Sequence, residues 1–109
     1  MSGFVTVEVS DGIARVVLQQ PAMPPAFFDA IGDAFRALAK DRSLRVVILS
    51  SAARHFSVGL DLVASSEVFA EQVSGGLAEV RYGLYETIKS WQRSLNEVAT
   101  CPVPVIAAI

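Results

Sequence analysis

The chain has 109 residues, 52% of them apolar and 18% charged, with a formal net charge of −2. That balance excludes a disordered chain, and it lacks the clustered Lys and Arg of a nucleic-acid surface. A chain of this length buries roughly 60–70% of its unfolded surface, enough for one small domain with a modest core, and the apolar excess predicts a surface that expects a partner.

Cys101 is the single cysteine, so no internal disulfide is possible and a reducing compartment is the simplest expectation. The start, Met1 to Thr6, has no basic segment and no long apolar run. The longest apolar run, Val103 to Ile109, is interrupted by Pro104 and is too short to span a bilayer. A cytoplasmic protein without membrane contact is therefore predicted.

Val5, Val7 and Val9 alternate with Thr6 and Glu8, the period of a half-buried strand. Asp11-Gly12 follows, then the β-rich run Ile13 to Leu18. An Asp-Gly pair between two such runs predicts a hairpin, because the tight turn needs positive φ. Gln19 to Pro25 holds three prolines and reads as a loop. A helix is predicted from about Ala26, with Phe27, Phe28, Ile31, Phe35, Leu38 and Ala39 on one stripe. Asp41-Arg42-Ser43 ends it. Leu44 to Leu49 is nearly all apolar and predicts a strand covered on both faces.

Ser50 to Leu62 reads as a loop closing on Gly59. Residues 63–75 read as a short helix and a mobile linker ending at Gly75-Gly76. Leu77, Val80, Leu84, Ile88, Trp91, Leu95 and Val98 step by three or four residues, predicting an amphipathic helix of about six turns. Thr100-Cys101-Pro102 stops it. Pro104 to Ile109 predicts another buried strand. The expected order is β-β-α-β-(loop)-α-β, an α/β chain. An apolar strand with no polar return predicts a sequence truncated after Ile109.

Four motifs stand in order along the chain: Leu18-Gln19-Gln20-Pro21 followed by Pro25-Ala26; Leu44-Arg45-Val46-Val47-Ile48-Leu49; Phe56-Ser57-Val58-Gly59-Leu60-Asp61-Leu62; and Cys101-Pro102-Val103-Pro104-Val105-Ile106-Ala107-Ala108-Ile109. In that order and spacing they resemble the N-terminal part of the crotonase superfamily, the enoyl-CoA hydratases and isomerases. The long helix, with Arg81-Tyr82 and Ile88 to Arg93 leading to Leu95-Asn96-Glu97-Val98, looks most like the dienoyl-CoA isomerase branch. The resemblance implies the first part of a ββα-spiral fold over residues 1–109. It also implies hydration or double-bond isomerisation of an unsaturated fatty acyl-CoA through an enolate.

That chemistry builds an oxyanion at the thioester carbonyl, and two backbone N–H donors stabilise it. Losing one such donor costs about 3–4 kcal/mol in other enzymes. By resemblance the first donor is the N–H of Leu60, after Gly59, and the second belongs to a glycine-rich segment beyond Ile109. Ala26, Arg54, Val58, Gly59 and Leu60 are implied to bind the acyl-CoA, Ala26 and Val58 through backbone groups toward its nucleotide and pantetheine parts and Arg54 near its phosphates. CoA enters as part of the substrate, and no separate cofactor or metal is implied. Val58 stands where the family usually has alanine, and Pro25 where it has asparagine. The carboxylates that move protons are expected downstream. Full-length members assemble as trimers and hexamers through C-terminal helices.

Plainer roles compete for several of these residues. Gly59 alone could be a turn glycine; the flanking motifs favour the oxyanion role. Asp61 is expected to cap the next helix rather than act as an acid. His55 is expected as an exposed loop residue, Cys101 as a small buried one, and Trp91 in the core or a subunit interface. Glu67, Glu71 and Glu79 are expected on a solvated face or linker. A rival reading is a small regulatory, protein-binding domain of the STAS type, whose serine-bearing loop Ser57-Val58-Gly59-Leu60 vaguely matches. Phe56 stands where that loop needs an acidic residue.

Overall fold

A computed structural model describes residues 3–72 and 76–109. The linker expected up to Gly75-Gly76 falls largely on residues 73–75, outside the described residues. Strands β1 (Val5–Ser10) and β2 (Ile13–Leu18) form an antiparallel hairpin with Ser10 opposite Ile13. The turn between them is Asp11-Gly12, with φ of 53° and 77°. Positive φ at both central residues matches the right-handed twist of the strands, so the hairpin expectation holds.

The loop expected over Gln19 to Pro25 contains a two-residue strand, β3 (Ala22–Met23). Helix α1 (Pro25–Leu38) follows. Pro25 occupies its first position, where a missing N–H is no loss and φ is already helical. Phe27, Phe28, Ile31, Phe35 and Leu38 are buried as the stripe predicts. Ala39 is exposed instead, because it caps the helix C-terminus and lies past the last turn over the sheet.

Strand β4 (Val46–Ser51) lies parallel to β2, Ile13 opposite Val46 through Leu18 opposite Ser51. Strand β6 (Val105–Ala107) lies parallel to β4, giving the sheet order β1-β2-β4-β6. Strand β5 (Gly59–Leu60) pairs parallel with β3 in a separate two-stranded sheet. Helix α2 (Leu62–Gln72) and helix α3 (Leu77–Ala99) complete the chain. The order is thus α/β as expected, with two short strands and a well-formed α2 added.

The core lies between the sheet and α1. Ala14, Val16 and Leu18 of β2, Val47 of β4 and Val5 of β1 meet the phenylalanines of α1. Leu44 is buried too, but just ahead of β4 rather than in it. Two expectations fail here. Strand β4 is not covered on both faces: Val47 is buried, while Val46 and Ile48 are only half-buried. Strand β6 is not buried: Ile106 is 55% exposed. Both follow from having one helix layer on one face of a sheet whose last strand is an edge.

Helix α3 packs against α1 rather than the sheet. The two approach closely at Gly32, where an added Cβ would lie 3.0 Å from Ser94 Oγ and 3.3 Å from Ser94 Cα. Phe28 stacks on Trp91 with ring centroids 4.8 Å apart. Arg36 Nε lies 3.4 Å from Glu97 Oε1 across the same interface.

Candidate functional site

The segment Phe56–Leu62 runs from the end of β4 across to α2. Two apolar side chains anchor it, since Phe56 and Leu60 both pack against the core. Its backbone is braced against the proline-rich segment: Val58 N–H donates to the Pro21 carbonyl and Asp61 N–H to the Met23 carbonyl, each at 2.9 Å. Between those braces sits Gly59, with φ of +86°. A side chain there would meet nothing within 4 Å. Glycine is therefore required by backbone conformation, not by crowding, and the space above it is open to an approaching group.

Ser57 Oγ accepts the Gly59 N–H at 3.1 Å, a local turn that holds the glycine in place. Sequence reading passed over Ser57 in this role, although a serine two residues ahead of a turn glycine is a recognisable signal. It also passed over the carbonyls of Pro21 and Met23, which no sequence pattern marks.

Asp61 caps α2 as expected. Its Oδ1 accepts the Ala64 N–H at 3.1 Å, and its carbonyl accepts the Ser65 N–H at 3.0 Å. That carboxylate is committed to orphan helix N–H groups, which sets the direction in which the chain leaves the loop. Further into α2, Ser65 is fully buried, and its hydroxyl has no hydrogen-bond partner among the described residues.

The pairing of β3 with β5 sets Met23 opposite Leu60 and Ala22 opposite Gly59. This brings the start of α1, with exposed Ala26, to the same end of the molecule as Val58, Gly59 and Leu60. Val58 is 61% exposed, while Gly59 and Leu60 are half-buried. Arg54 stands on the loop after β4, exposed and without an ion pair among the described residues. It is not drawn into contact with the other four.

His55 is exposed, and its carbonyl accepts a 3.3 Å hydrogen bond from Ser51 Oγ, as a loop residue should. Cys101 is half-buried rather than buried, because it sits past the end of α3 beside an apolar hollow. Trp91 belongs to the α1–α3 contact. Glu67, Glu71 and Glu79 are exposed on α2 and α3. No three His, Cys, Asp or Glu side chains gather into a metal-binding group among the described residues. No described helix is long and apolar enough to cross a membrane.

Residues 8–109 match the sequence profile of the enoyl-CoA hydratase/isomerase family. The chain belongs to that family. It corresponds to the N-terminal portion of the crotonase superfamily fold, and the regulatory-domain alternative falls. The mitochondrial Δ(3,5)-Δ(2,4)-dienoyl-CoA isomerase of Mus musculus is 30% identical over 101 residues, covering 89% of this chain and 31% of that protein. The peroxisomal Δ(3,5)-Δ(2,4)-dienoyl-CoA isomerase of Arabidopsis thaliana is 29% identical and covers 100% of this chain and 43% of that protein. The crystal structure of an enoyl-CoA hydratase/carnithine racemase from Magnetospirillum magneticum superposes with a TM-score of 0.79 at 27% identity, covering 100% of this chain and 39% of that one. The chain thus spans between about a third and under half the length of these relatives.

Proposed function

We propose that these residues supply the thioester-facing half of a hydratase or isomerase acting on unsaturated fatty acyl-CoA. The Leu60 N–H serves as one of two oxyanion donors. The observation that carries this is Gly59: positive φ, open space above it, and a backbone held on both sides by Val58 and Asp61. A donor fixed before the substrate arrives costs no reorganisation when charge develops on the thioester oxygen, which is where such donors gain their effect. Ala26 and Val58 line the approach of the CoA portion, and Arg54 meets its phosphates from the neighbouring loop. The dienoyl-CoA isomerases among the relatives favour isomerisation over hydration. The second donor, the proton-transferring carboxylates and the trimer-forming helices lie outside these residues.

A cytoplasmic address is part of the same reading and rests on the lone thiol. The relatives carry mitochondrial and peroxisomal names, so subcellular fractionation of the tagged protein checks it.

The test uses the purified 109-residue chain. With 2-enoyl-CoA and 3,5-dienoyl-CoA it should give no turnover above background, since a positioned acid or base is worth about 10²–10⁴-fold. An amide-resolved titration with a saturated acyl-CoA should move the Leu60, Val58 and Ala26 signals. Robust turnover would place the acid/base groups inside this chain and overturn that part of the reading. Saturating ligand without movement at Leu60 would remove the oxyanion assignment.

A further inference from the structure

The Leu60 N–H follows a residue that no packing holds in place. A Cβ at Gly59 would meet nothing within 4 Å, so no neighbour presses on that backbone. Glycine passes between positive and negative φ at little cost. The φ of +86° at Gly59 is therefore kept by hydrogen bonds rather than by contacts.

Those bonds come from two kinds of acceptor. The peptide plane ahead of Val58 is fixed by its N–H on the Pro21 carbonyl, and the plane ahead of Asp61 by its N–H on the Met23 carbonyl. Both acceptors are backbone. The plane between Val58 and Gly59 is held by a side chain instead: its N–H donates to Ser57 Oγ at 3.1 Å. Rotation of this plane is what changes φ at Gly59. Its peptide bond is trans, so N–H and C=O point opposite ways. Turning the plane over would exchange the Gly59 N–H for the Val58 carbonyl, one residue from Leu60.

The same bonds single out one donor. Along an extended strand successive N–H groups point to opposite sides. With the Asp61 N–H turned to Met23, that of Leu60 is turned away from β3. Val58 and Asp61 give their N–H groups to carbonyls and Gly59 gives its own to Ser57, so none of the three competes with Leu60 for an incoming oxygen. We propose that Ser57 is a positioning residue, whose hydroxyl locks the Val58–Gly59 peptide so that the Leu60 N–H is the one presented to the thioester oxygen. This rests on the oxyanion reading of Leu60. Ser57 itself touches no reacting atom, and its exposed side chain contributes little to the core.

The test uses the 109-residue chain, labelled for amide-resolved spectroscopy, with octanoyl-CoA as the probe. In Ser57→Ala the protection of the Gly59 amide against exchange should fall about fivefold without ligand, the worth of one ordinary hydrogen bond. Octanoyl-CoA binding, read at Leu60, should weaken by a similar factor. Ser57→Thr keeps the hydroxyl and should restore both, whereas Ser57→Val has the same shape without it and should behave as alanine. That matched pair decides the matter if the alanine variant melts early. Ser66→Ala removes an exposed hydroxyl that donates to the Val63 carbonyl at 2.7 Å, and should change neither reading. A parent chain that responds at Leu60, with threonine and valine variants that bind alike, overturns the positioning role and leaves the oxyanion reading standing. Unchanged Gly59 protection in both Ser57→Ala and Ser57→Val overturns it too. A parent chain with no response at Leu60 removes the oxyanion reading and this inference with it.

Discussion

Helices α1 and α3 have the same kind of sequence and opposite fates. Both carry an apolar stripe at helical spacing. In α1 six residues are buried, while in α3, nine residues longer, Ser94 alone is. Leu77 is 68% exposed on the very stripe that defines α3 as amphipathic. The difference lies in neighbours. Helix α1 has the sheet beneath it and α3 against it; α3 has α1 and a few contacts from α2. Periodicity specifies which face a helix can bury, not whether anything lies there to bury it against.

The sharpest way to break that comparison is to truncate one large apolar side chain on each helix stripe. Phe35→Ala removes a side chain with no exposure and should cost about 3–5 kcal/mol in denaturant unfolding. Leu77→Ala should stay within about 0.5 kcal/mol, as an exposed position does. Equal losses at the two sites would mean that the stripe of α3 is covered after all. The contact between the helices is probed by Gly32→Val. Its added carbons run into the Ser94 side chain and Cα, and overpacking of this kind costs about 1–3 kcal/mol. An unchanged midpoint would show that α3 rides loosely on α1.

Smaller effects separate the helices at their polar points. Asp61→Ala should lose about 1 kcal/mol through the missing cap on α2, and Asp61→Asn should recover most of it; identical losses would refute capping. The least effect belongs to Asp41, beyond α1. The hydroxyl of Ser43 donates to its carboxylate at 2.6 Å and the Ser43 N–H at 2.9 Å, and both hold its pKa below the usual value. A depressed carboxylate pKa contributes stability above the unfolded value and loses it as pH falls through the folded value. Ser43→Ala should therefore lower stability slightly at neutral pH, with the difference from the parent chain vanishing as pH falls through the folded value.

Much of this was legible beforehand, and the reasons differ by element. The hairpin could be read because Asp11-Gly12 is a backbone requirement written in residue types. Helix α1 could be read because five of its stripe residues are large and meet a sheet. Strands β3 and β5 could not. Two residues have no period, and their pairing depends on Pro21 and Met23 carbonyls brought over by tertiary structure. The same limit applied at the site. Gly59 and the cap at Asp61 were visible as residue types, whereas the bracing of Val58 was not. Exposure of β6 was misjudged because apolar composition reports what a segment can cover, not what covers it.

Strand β4 carries a consequence of its own. It is the one strand of the sheet bonded on both sides in parallel fashion, to β2 and to β6, and Val47 N–H donates to the Pro104 carbonyl at 2.9 Å. Its amides can exchange with deuterium only when a neighbouring strand lets go. On the Pro104 side that neighbour is an exposed edge, so the protection of Val47 should track the detachment of β6, while β2 amides should wait for global opening. An ordered exchange pattern across three adjacent strands would thus measure, residue by residue, how firmly the last strand is held.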